Sequence, residues 1–175
     1  MARRVQPLER VSRRLVRAQT GVDALVVTDW KTVKLDADFT TSSATAVDVT
    51  GLGFTPLPDQ SYEIVGCFGI KASSATVGPR PGIAWPTGLT DQWAMMLAAD
   101  ATVTTGVRRG WGQATDAAVA VTGLPDATYT YYADLRAVIL AGSSVSGDFK
   151  ITLTSETGGT DVTMKAGSFI RYRII

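Results

Sequence analysis

The chain has 175 residues, 45% of them hydrophobic and 19% charged, with a formal net charge of +1; that is enough chain to bury one real core, and it excludes a disordered segment. It holds no histidine, which removes Ser-His-Asp and Cys-His catalysis and the commonest zinc ligand. No run approaches the ~20 apolar residues of a membrane-spanning helix, so no membrane partner is expected.

The near-neutral total conceals an uneven distribution. Six arginines (Arg3, Arg4, Arg10, Arg13, Arg14 and Arg17) stand against a single Glu9 within residues 1–20, a balance of +5 that leaves −4 for residues 21–175. Val5, Leu8, Val11 or Ser12, Leu15 and Ala18 recur at spacings of three and four, the pattern of one helical face. Pro7 suits a first helical turn and Gly21 a stop, so a helix is expected over Pro7–Gln19. The chain then divides into a basic amphipathic arm, residues 1–21, and a β body, residues 22–175. So short a helix is marginal alone in water. Its partner is its own body or the same helix of another copy, an acidic surface on a larger assembly, or, ranked last, the phosphates of nucleic acid or an anionic membrane. No apolar segment follows the basic N-terminus before Leu25, so folding in a reducing cytoplasm is expected rather than secretory export.

Beyond the arm, short stretches rich in Val, Ile, Tyr and Phe alternate with Gly- and Pro-containing turns, the signature of an all-β sandwich or barrel. Strands are expected at Ala24–Lys34, Ala44–Val49, Tyr62–Lys71, Gly82–Trp85, Gln92–Ala98, Thr128–Leu140, Phe149–Thr154, Asp161–Met164 and Phe169–Ile174. The fold class is therefore mainly β, an antiparallel, jelly-roll-like sandwich preceded by a short α-helix. Phe149, Ile151 and Leu153 alternate with Lys150, Thr152 and Thr154, which predicts one buried and one solvated face. Tyr62–Ile70 and Thr128–Leu140 are apolar on both faces, so a second partner such as a subunit interface is expected there. Its candidate residues are Tyr62, Ile64, Phe68, Ile70, Tyr129, Tyr131 and Tyr132. The single Cys67 lies inside the run Ile64–Ile70 and reads as a buried core thiol.

A search for chemistry yields little. Asp36, Asp38 and Asp48 offer three carboxylates near one another in sequence, but a solvated strand edge accounts for them without a cation. Gly106–Gly112, with Arg108, Arg109 and Trp111, lacks the Lys-Ser/Thr of a phosphate loop and reads as an ordinary surface loop. Trp85, Trp93 and Trp111 suit core or interface packing better than a sugar-stacking platform. Val49-Thr50-Gly51-Leu52 recurs as Val121-Thr122-Gly123-Leu124, and Leu57-Pro58-Asp59 before Tyr62 recurs as Leu124-Pro125-Asp126 before Tyr129. Such phrases are turn chemistry, Pro then Asp launching an aromatic strand.

The run Val162-Thr163-Met164-Lys165-Ala166-Gly167-Ser168-Phe169-Ile170-Arg171-Tyr172-Arg173, with Phe149-Lys150-Ile151, Val49-Thr50-Gly51-Leu52 and Phe54, resembles a group of small β-sandwich proteins of tailed bacteriophages. These are head-fibre, capsid-decoration and fibre-tip domains, commonly trimeric, and the resemblance spans roughly residues 31–175. It implies a non-enzymatic virion structural protein with no catalytic residues, no metal and no cofactor. It also implies assembly in the host cytoplasm, self-association as a homo-oligomer, with a trimer expected, and a major capsid or fibre-base protein as partner. A glycan-binding adhesion module at a fibre tip, with a host surface glycan as ligand, is the alternative from a different class. A third, more distant reading is a hydrolase working through two facing Asp carboxylates.

Overall fold

In a computed structural model the described residues are 29–100, 103–112, 121 and 123–175, with the side chains of 100 and 103–112 outside the description. Eleven strands and no helix occur among them: β1 Lys31–Lys34, β2 Phe39–Thr41, β3 Val47–Phe54, β4 Ser61–Ala72, β5 Pro79–Ala84, β6 Thr87–Asp100, β7 Val103–Gly112, β8 Tyr131–Ser146, β9 Phe149–Ser155, β10 Val162–Met164 and β11 Phe169–Ile174. The helix expected over Pro7–Gln19 and all arm residues lie outside the described residues. The chain is thus mainly β, and every pairing is antiparallel.

Two sheets form. The larger has eight strands in the order β1-β11-β4-β8-β6-β7, with β10 joining β4 and β2 joining β10; the smaller is β3-β9-β5. Such a division, eight against three, differs from the two matched sheets of a jelly roll. In the larger sheet β1 and β2 behave as one interrupted strand, and β11 and β10 as another beside it. Lys34 pairs with Phe169 and Phe39 with Met164, so both strands break at the same level. Gly167 takes φ 91° in that break, a left-handed turn that glycine adopts without penalty.

Strands β4, β8 and β6 alternate over most of their paired length, with Gly69 and Gly142 buried out of phase. On β4 Tyr62, Ile64, Phe68, Ile70 and Ala72 point inward, on β8 Ala133, Leu135, Ala137 and Ile139, and on β6 Ala94, Met96 and Ala98. From the smaller sheet Val49, Leu52, Phe54, Ile83, Phe149, Ile151 and Leu153 complete the same core. Between β3 and β9 the register jumps from Asp48↔Thr152 to Gly53↔Lys150. Val49 and Leu52 sit in that bulge and bury their side chains, which explains why the phrase Val-Thr-Gly-Leu occurs there. In the second copy of the phrase Val121 and Leu124 are buried too, whereas Leu57 of the first Leu-Pro-Asp is exposed and Leu124 of the second is not.

Four expectations need correction. Thr152 and Thr154 are buried rather than solvated, because β9 is the middle strand, flanked by Asp48 and Gly82 at Thr152 and by Arg80 at Thr154. Residues 106–112 are not a loop but part of strand β7, which pairs along β6 from Trp93↔Gly112 to Ala98↔Val107. Cys67 is only partly buried, since its odd position on β4 turns it away from the core. Likewise Tyr62, Ile64, Phe68 and Ile70 fill the chain's own core, so these four candidate interface residues face no partner.

Phe149 is fully buried and packs against Phe54 at 5.5 Å and edge-on against Trp85 at 5.7 Å, bridging β3 and the β5–β6 corner. Phe149→Ala is expected to cost about 3–5 kcal/mol of unfolding free energy, through lost transfer and a residual cavity. Urea denaturation measures it, and a loss below ~1 kcal/mol would show that the two sheets do not depend on this ring.

Candidate interaction face

With the even residues of β4 and β6 and the odd residues of β8 spent on the core, their alternates form a second, outward face of the larger sheet. Trp93, Met95, Tyr132 and Leu140 are exposed there, and they make up four of the seven exposed large hydrophobics among the described residues. Pairing register arranges the face in rows. Arg173, Glu63, Val138 and Trp93 form one row across β11, β4, β8 and β6. Arg171, Val65, Arg136 and Met95 form the next, then Phe169, Cys67, Asp134 and Leu97. Beyond these lie Gly69 and Tyr132. Exposed apolar side chains gathered on one sheet face make it the candidate interaction surface of the described residues. Tyr129 and Tyr132 of the expected interface are exposed, while Tyr131 packs half-buried against the core.

The face has its own electrostatics. Arg173 donates from Nε to Glu63 Oε2 at 2.7 Å and lies 4.8 Å from the ring centre of Trp30, with Arg171 at 5.5 Å from the same ring. Trp30 therefore gathers two guanidiniums at the β1 edge, a cation–π arrangement. Burial raises the Cys67 thiol above its ordinary range, and the charge of Asp134 and a hydrogen bond to it act in the same direction. The thiol is thus held neutral beside a carboxylate. Arg136 belongs to none of the four ion pairs among the described residues.

Beside the face the paired strand breaks are clasped together. Lys165 Nζ bonds Asp38 Oδ2, the Ala166 N–H donates to Asp38 Oδ1 at 2.8 Å, and the Leu35 N–H donates to the Ser168 carbonyl at 2.8 Å. Ser168 Oγ accepts from the Gly69 N–H at 3.0 Å and donates to the Lys165 carbonyl at 2.7 Å. The bond from Lys165, then that from Ala166, holds the Asp38 carboxyl below the usual carboxylate range. So Asp38 is spent on the clasp, and Asp48 on Lys150 at 2.8 Å. Among the described residues no three potential ligands converge on a metal.

Two clefts border the bulge and the β1 edge. A shallow one of about 510 Å³ runs along residues 48–55, and its charges are already engaged: Lys150 with Asp48, and Asp148 accepting from Thr55 at 2.6 Å. A smaller one of about 170 Å³ lies between Leu57, Tyr62, Tyr172 and Ile174. Trp85 belongs to the core edge and Trp93 to the outward face, so these two do not form one stacking platform.

No family model and no curated protein matches the chain. Among solved structures it is similar to one described as the structure of infectious bursal disease virus Gt strain, at 13% identity and a TM-score of 0.24, over 92% of this chain and 47% of that one. A second, of the Gx strain of the same virus, matches at 12% identity and a TM-score of 0.24, over 93% and 42%. The chain spans less than half the length of either. Scores this low carry no functional conclusion.

The clasp has a pH signature. A carboxyl whose folded pKa is depressed contributes stability above its unfolded pKa of about 3.9 and loses it as pH falls through the folded value. Asp38→Asn is therefore expected to lower the melting temperature at neutral pH, with the gap to wild type closing as the pH drops below about 4. A gap independent of pH would show that the clasp does not depend on the ionised carboxylate.

Proposed function

We infer that this chain is a non-enzymatic structural subunit of a tailed-phage virion, a head fibre or capsid-decoration protein whose sandwich body self-associates and whose arm attaches it to the particle. The observation that carries this reading is the outward face of the larger sheet. A lone soluble body has no use for Trp93, Met95, Tyr132 and Leu140 presented together in water. A subunit that is repeated on a particle does, because covering that face stabilises the assembly. The resemblance supports the virion part: its longest phrase, residues 162–173, comprises β10, the clasped turn and most of β11, the segment that holds the larger sheet's edge in place.

The arm supplies attachment in this reading. Its arginines speed encounter with an acidic capsid or fibre-base site, and Val5, Leu8, Val11 and Leu15 provide the part of binding that salt does not screen. Leu8→Asp combined with Leu15→Asp places two charges on the apolar stripe, and Arg13→Glu with Arg14→Glu removes the electrostatic part.

Sedimentation of the full chain at micromolar concentration is expected to give an oligomer, and Trp93→Glu is expected to shift it toward monomer. On particles lacking the protein, the Leu8/Leu15 double variant is expected to fail to decorate at any salt, while the Arg13/Arg14 variant loses most at low ionic strength. A monomeric wild type would remove the self-association part of the reading, and normal decoration by the Leu8/Leu15 variant would move attachment to the β body.

A further inference from the structure

We propose that the occupant of the outward face is a second copy of this chain, packed back to back about a two-fold axis that runs across the strands between the levels of Asp134 and Arg136. This rests on the self-association reading above and specifies its geometry.

Two sheets that pack through one identical face are related by a two-fold axis lying between them. If the axis runs along β8, Arg136 faces Arg136 and Asp134 faces Asp134, and like charges in a water-excluded contact are costly; if it runs along the strands beside β8, Arg136 is set over Val65 or Met95 and Asp134 over Cys67 or Leu97, and neither covered charge gains a counter-charge. If it runs across the strands, the copies are antiparallel and the rows exchange. Placing it midway between positions 134 and 136 of β8 sets the row Val65, Arg136, Met95 of one copy over the row Cys67, Asp134, Leu97 of the other, and the reverse.

Along β8 and β6 the contacts in that register are complementary, while on β4 and β11 Glu63 of one copy lies over Gly69 and Arg171 over Phe169 of the other. Arg136, which has no ion pair within the described residues, meets the exposed Asp134 of the other copy twice over. Met95 meets Leu97, and Val65 meets Cys67, apolar against apolar. One step out, Tyr132 meets Val138, and the large exposed Trp93 meets Ala99, a small outward residue near the end of the same strand. Four strands at about 4.8 Å and a span of nine residues at about 3.4 Å give a footprint of roughly 600 Å² per copy, at the lower end of stable interfaces. A shift of the axis by one residue, which changes the register by two, breaks the charge exchange, setting Arg136 over itself or Asp134 over itself.

The test is charge exchange within one chain, read by sedimentation equilibrium of the full protein. Asp134→Arg and Arg136→Asp each create two like-charge contacts per pair and are expected to weaken dimerisation by roughly tenfold or more. Combining both substitutions restores opposite charges across the axis and is expected to return the dissociation constant to near wild type. Both side chains are exposed, and unchanged melting temperatures of the diluted monomers separate dissociation from misfolding. A wild-type oligomer that Trp93→Glu disrupts but the charge reversals leave intact, or a double variant no better than the singles, overturns this register while leaving self-association standing. A trimer as the largest species overturns the two-fold arrangement, and a monomeric wild type overturns the underlying reading.

Discussion

The register of β4 against β8 decides what this molecule shows to its surroundings. Ten consecutive pairs run from Ser61↔Leu140 to Ile70↔Tyr131, and a slip by one residue would send every side chain on either strand to the opposite face. In the observed register Phe68, Ile64, Ile139 and Leu135 go inward and are fully buried. Val65, Cys67, Val138 and Asp134 go outward by the same geometric necessity. Strand β6 extends the rule, since Met96 is buried and its neighbour Met95 is exposed. The interior and the outward face are thus two readings of one hydrogen-bond ladder.

Around that ladder the edges are secured by polar detail. The larger sheet would lose continuity where β1 and β11 break, were it not for Asp38, which accepts from both Lys165 and the Ala166 N–H, and for Ser168, which links the turn to Gly69. At the other end of the core, Phe54 stacks on Tyr172 at 3.8 Å and tilts against Tyr62 at 5.3 Å, so the small sheet grips the large one through aromatic contacts. Burial accordingly lifts the Tyr172 hydroxyl above its ordinary pKa. Close packing of this kind makes a rigid body, which a repeated structural subunit requires and which makes a flat outward face usable for recognition.

Much of the fold was legible in the sequence where pattern and environment agree. At Phe169–Ile174 and Phe149–Thr154 the strand bounds match to within a residue, although burial does not follow the alternation of β9. Strand β7 escaped notice because Gly106, Gly110 and Gly112 read as a loop, and what makes it a strand is the edge of β6 beside it, a tertiary effect that β-propensity does not encode. Strand β8 runs on to Ser146 through Gly142-Ser143-Ser144, residues that elsewhere signal a turn. Of the candidate interface residues, Tyr62, Ile64, Phe68 and Ile70 on β4 are buried in the core, whereas Tyr129 and Tyr132 are exposed. Both faces of β4 are apolar in sequence, and Tyr62, Ile64, Phe68 and Ile70 are the larger side chains. The signal that separates the faces was present: Glu63 and Lys71 share the parity of Val65 and Cys67, and a charged row must point away from a core. What no strand sequence contains is the row order across the sheet, and so the Arg136 and Asp134 exchange depends on the structure.

Cys67 offers the most direct test of whether the outward face is covered, because it is the single thiol of the chain and lies near the centre of that face. Alkylation of the unmodified full chain by a small maleimide can be followed at protein concentrations below and above self-association. The account predicts that the rate falls steeply as the oligomer forms, since covering the face encloses a thiol that is only partly buried in the single chain. A rate that stays constant while the mass rises would contradict it, by showing that copies meet elsewhere and that this face remains open.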